Sequence, residues 1–88
     1  MCRNIRSLFN FDPPATDEEI RAAALQFVRK IAGVNRPSKA NEEAFARATE
    51  EIAATSGRLL ASMTTIAPHR DRQIERAKAK ARAERRFA

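Results

Sequence analysis

Eight basic side chains fall within the last nineteen residues: Arg70, Arg72, Arg76, Lys78, Lys80, Arg82, Arg85 and Arg86. Their chemistry is that of phosphate neutralisation, which is strongly salt-dependent and indifferent to base sequence. The bland alternative is a solvated helix whose charges serve helicity and solubility. The basic character belongs to this tail. Residues 1–66 carry nine Lys/Arg against eight Asp/Glu, and residues 67–88 carry eight against three. That asymmetry predicts an anionic partner, either nucleic acid or an acidic protein surface. A membrane surface fits less well, because the tail lacks bulky apolar anchors.

Cys2 is the only cysteine, and Arg3 and Arg6 beside it favour the thiolate. Removal of Met1 would leave its thiol and amine on one terminal residue, able to ligate a metal or act as a nucleophile. No second cysteine supports this, and the single histidine, His69, stands at the far end of the sequence. A structural metal site needs about four ligands, which this chain does not offer. Buried packing is the favoured account of Cys2, with a thiol or metal function as the alternative. The doublets Glu18–Glu19, Glu42–Glu43 and Glu50–Glu51 lie on predicted helices, where neighbours point about 100° apart and do not converge. Asp17 and Glu18 instead suit pairing with Arg21. No nucleophile–base arrangement is evident, so the sequence predicts no catalytic residues and no cofactor.

The elements that position these groups are helical. Thr16 and Glu19 form a capping box, Asp17, Glu18 and Glu19 suit the helix dipole, and Gly33 suits the left-handed stop. Between them Ile20, Ala24, Phe27, Val28 and Ile31 share a face. The connection VNRPSKANEE follows, and a second helix starts near Ser38 or Asn41. Its apolar positions are Phe45, Ala48, Ile52, Thr55 or Ser56, Leu59, Leu60 and Met63, and it ends before TTIAPHR. Gly57 inside it suggests a close crossing. The basic tail reads as a third helix with a thin apolar face of Ile74, Ala77 and Ala81.

These signals predict a small all-α domain of 88 residues. Residues 1–66 form an antiparallel helical hairpin with its lead-in, and residues 67–88 add a basic C-terminal helix to the same domain. Ile5, Leu8, Phe9 and Phe11 are expected to fold a short N-terminal helix or turn over the hairpin. With many alanines and no Trp or Tyr, the helix contacts should be thin, and there is no stacking platform for bases. One cysteine fits a reducing compartment, and neither a bilayer-spanning run nor a signal peptide is evident. The expectation is a soluble, cytoplasmic protein, with its oligomeric state unspecified.

Over nearly its full length the chain resembles a family of short bacterial proteins of unknown function. The likeness is carried by MCRNI (Met1–Ile5), by Asn10–Lys30, by Arg36–Phe45 and by Ala67–Arg72. It implies that Cys2 and Arg3–Asn4 are characteristic of the group, and it implies no activity or cofactor. A fainter likeness joins the hairpin to the J-domain of chaperone partners. The His-Pro-Asp loop that defines J-domain function should fall near Ala32–Val34 and is absent, so that resemblance implies at most a J-like adaptor without chaperone-stimulating activity. The function expected from the residues is a non-enzymatic binding module whose basic helix contacts nucleic acid or an acidic partner.

Overall fold

Thr16 opens the first helix as its spacing predicts. Its hydroxyl accepts from the Glu19 amide at 3.1 Å while its own amide donates to the Glu19 carboxylate at 2.9 Å. This satisfies two otherwise orphaned donors at once. The helix, α1, runs Asp17–Ala32 and stops at Gly33, whose φ of 76° lets its amide reach the Arg29 carbonyl at 2.9 Å. In this computed structural model, which describes residues 4–87, a 3-10 turn (Lys39–Asn41) leads into α2 (Glu42–Ser62). The third helix, α3, spans Arg72–Phe87. The described residues contain no strand, and the protein is all-α. None of these helices is long and apolar enough to cross a membrane.

Helices α1 and α2 pack as an antiparallel hairpin, with Asp17 and Ile20 beside Gly57 and Leu60 around one groove. Its core is thin. Ile20, Ala24 and Val28 are buried on α1, Thr49 is buried on α2, and no described side chain is wholly enclosed. The Thr49 hydroxyl donates to the Phe45 carbonyl at 3.0 Å, which removes the cost of burying it. Arg21 reaches across the hairpin to Glu50 rather than to Asp17 or Glu18.

The buried stripe is narrower than the sequence suggests. Phe27 and Ile31 are 45% and 74% exposed, and Leu59 is 58% exposed. Packing follows the i, i+4 ridge, and each step along it advances about 40° around the helix. By the last turn of α1 the ridge has rotated past Phe27 and Ile31. On α2 the shielded positions advance by steps of three and four, from Thr49 through Ile52, Ala53 and Ser56 to Leu60, and this leaves Thr55 and Leu59 exposed.

Gly57 does not serve a close crossing, because a Cβ built there meets nothing within 4 Å. Gly57→Ala is therefore expected to stabilise the fold by about 0.5–1 kcal/mol by removing unfolded-state freedom. Thermal unfolding checks this, with a rise in Tm of several degrees expected.

Residues 4–16 form no helix, so of the two expected forms the lead-in takes the turn. Leu8, Phe9 and Phe11 are half-buried along the groove at the open end of the hairpin, and Ile5 stays exposed. Asn10 adopts φ 67°, a left-handed conformation that asparagine tolerates better than most residues. There its carbonyl accepts from the Arg70 amide at 2.7 Å and its side-chain amide donates to the Pro68 carbonyl at 2.9 Å. The chain before α3 is thus stitched to the lead-in, while α3 itself packs on neither α1 nor α2. The outcome is a flat molecule, 45 × 38 × 15 Å. Its radius of gyration of 15.3 Å exceeds the roughly 12 Å of a compact chain of this length.

Candidate functional site

The base of α3 is built by two adjacent residues with different tasks. Asp71 caps the helix, its carboxylate accepting from the Gln73 and Ile74 amides at 2.8 and 3.0 Å. Arg72 turns inward. Its Nη1 and Nη2 donate to the two Glu19 oxygens at 2.8 and 3.1 Å, and Nη2 also reaches the Pro13 carbonyl at 3.0 Å. The guanidinium lies 5.2 Å from the Phe11 ring centroid, and Arg70 lies 5.9 Å from the same ring. Forked pairing with a carboxylate is specific to arginine, whose planar guanidinium can lie against an aromatic face at the same time.

Glu19 is the centre of this cluster. The carboxylate that closes the capping box of α1 also holds α3, and Arg6 of the lead-in approaches it at 3.4 Å. The Arg72 hydrogen bonds, then the Thr16 amide and the positive charges of Arg72 and Arg6, lower its pKa from 4.5 to about 2 against an opposing effect of burial. The same bonds push the Arg72 pKa upward.

Above this latch lies a cleft of about 220 Å³. The lead-in forms one wall with Arg6, Ser7 and Leu8. The other wall is α3, with Glu75, Arg76, Ala79 and Arg82, and the floor holds Phe11, Arg70, Glu19 and Arg72. Positions 72, 75, 76, 79 and 82 share one helical face, so the periodicity of α3 assembles the wall.

The basic residues singled out from sequence therefore separate. Arg72 is spent inside the protein. Arg70, Arg76 and Arg82 converge on the cleft. Lys78 approaches Glu75 at 3.5 Å on the helix surface, and Lys80, Arg85 and Arg86 are exposed outside the cleft. Cys2 lies outside the described residues. His69 lines the separate apolar groove with Leu8 and Met63, and among the described residues no cluster of metal-ligating groups forms. Sequence reasoning missed Arg6 and Phe11 as site residues and gave Glu19 only its capping role.

A family model described as an uncharacterized conserved protein (DUF2277) matches residues 1–78. The matched span takes in the lead-in, the hairpin, the Glu19–Arg72 latch and the first half of α3. No curated protein and no solved structure matches the chain.

Proposed function

The chain belongs to the DUF2277 family, and for it we propose a non-enzymatic nucleic-acid-binding role carried by α3. The observation that carries the reading is that α3 packs on neither hairpin helix yet is fixed at its base, so its cationic surface stands clear of the hairpin. The hairpin and its lead-in are nearly neutral, and the excess positive charge sits on this one projecting element.

The distribution of side chains favours phosphates over an acidic protein surface. Outside the cleft Lys80 lies on one side of α3, while Lys78, Arg85 and Arg86 occupy another, and Ile74 is the only large apolar side chain along residues 72–86. Protein interfaces draw most of their energy from buried aromatic and apolar anchors, which residues 72–86 offer only in Ile74. Backbone neutralisation needs only such charges, along a helix about 24 Å in length.

Full-length protein carrying Lys80→Gln, Arg85→Gln and Arg86→Gln provides the test, since all three side chains are exposed outside the cleft. Affinity for a mixed-sequence duplex is measured across a salt series. The expected result is a uniform loss of affinity and a salt slope shallower by roughly 2.7, about 0.9 for each phosphate contact removed. An unchanged slope would overturn the proposal. Equal binding of polyglutamate and duplex in competition would replace it with an acidic-protein partner.

A further inference from the structure

The arginines around the cleft differ in how far their charge is already satisfied. Arg72 is saturated by Glu19 and Pro13, and that pairing keeps the Glu19 charge from repelling an incoming anion. Among the described residues Arg70, Arg76 and Arg82 have no carboxylate partner, and all three line one opening. Glu75 on the same wall has Lys78 at 3.5 Å. From the opposite wall Arg6 contributes a guanidinium whose bond to Glu19, at 3.4 Å, is long.

We propose that this cleft is a discrete site for one terminal phosphate group, distinct from the diffuse contacts along the outer faces of α3. Guanidinium forks match the oxygen geometry of phosphate and give charge-assisted bonds about twice as strong as neutral ones. Three unpartnered forks on one opening suit the doubly charged monoester better than a single carboxylate. Size gives the second constraint. The volume of about 220 Å³ is below the roughly 300–1,000 Å³ that encloses a drug-sized ligand, so the cleft holds a group and leaves the rest of its bearer outside. The inference rests on the nucleic-acid reading only for the source of that phosphate, the end of a strand.

The test titrates inorganic pyrophosphate into full-length protein at constant ionic strength, followed by NMR. Two variants of equal charge are compared, Arg76→Gln/Arg82→Gln in the cleft and Lys80→Gln/Arg85→Gln outside it. Glutamine keeps nearly the helix propensity of the residues it replaces, so α3 is preserved in both. The wild type is expected to saturate at one equivalent. The cleft pair should weaken binding by about tenfold or more, in line with losing a charge-assisted hydrogen bond, and the outer pair by less than about twofold. Equal weakening by both pairs, or no saturation, overturns the site.

A second arm uses oligonucleotides bearing a phosphate at the 5′ end, at the 3′ end or at neither. A preference for a phosphorylated end that the cleft pair abolishes supports the strand end as the source. Saturable pyrophosphate binding without strand binding would sustain the cleft and overturn the nucleic-acid reading. Strand binding that ignores terminal phosphate, without pyrophosphate saturation, would do the reverse.

Discussion

Arg72→Lys is expected to free the orientation of α3 while leaving the α1–α2 hairpin folded. The substitution keeps the charge, so a purely Coulombic attachment would survive it. The attachment here is geometric: one guanidinium spans both Glu19 oxygens, reaches the Pro13 carbonyl and lies over Phe11. A lysine ammonium is a point charge and cannot make those contacts together. Because α3 packs on neither helix, no apolar interface with the hairpin helices compensates for their loss. The two bonds from Asn10 hold residues 68 and 70, so the change is confined to the direction in which α3 leaves. Paramagnetic relaxation from a spin label on α3 checks this. Broadening of the lead-in around Arg6–Leu8, expected in the wild type, should weaken strongly in Arg72→Lys and persist in Arg76→Lys. Unchanged broadening in Arg72→Lys would show that something else fixes the helix. The cleft has α3 as one wall, so pyrophosphate binding should fall with the broadening.

The hairpin was legible because its signals are local. Thr16, Glu19 and Gly33 each act within a few residues, and all three occur as the sequence predicts. The faces of the helices were legible only in part. Phe27, Ile31 and Leu59 satisfy helical periodicity, but a face read from one helix does not include the drift of the contact ridge imposed by its neighbour. The latch left no trace in the sequence. Glu19 and Arg72 are 53 residues apart, and each already had a sufficient local account, one as a capping residue and the other as part of a basic run. The cleft was hidden for a related reason. One of its walls is a lead-in without periodicity, held in place by a left-handed Asn10 whose partner segment is nearly sixty residues away.

One carboxylate serving two structural tasks makes acid the natural way to separate them. The pKa of Glu19 is about 2 in the folded protein and 4.5 as its ordinary value, so the folded state binds fewer protons through this interval. Its contribution is therefore fully present above about pH 4.5 and is lost as the pH falls toward 2. Arg72 stays charged throughout, since its bonds to Glu19 push its own pKa upward. Glu19→Gln isolates the effect. Glutamine still accepts from the Thr16 amide and so preserves the capping box, but its amide group sets donors against the donors of Arg72. The variant should melt below the wild type at pH 7, with the gap closing progressively between pH 4.5 and 2. Over the same interval the wild type should lose the broadening between α3 and the lead-in, as Arg72→Lys does at neutral pH. A gap that stays constant to pH 2 would mean that the carboxylate charge does not hold α3. A gap that closes while the broadening persists would mean that charge stabilises the start of α1 alone and that Pro13 and Phe11 suffice to seat Arg72.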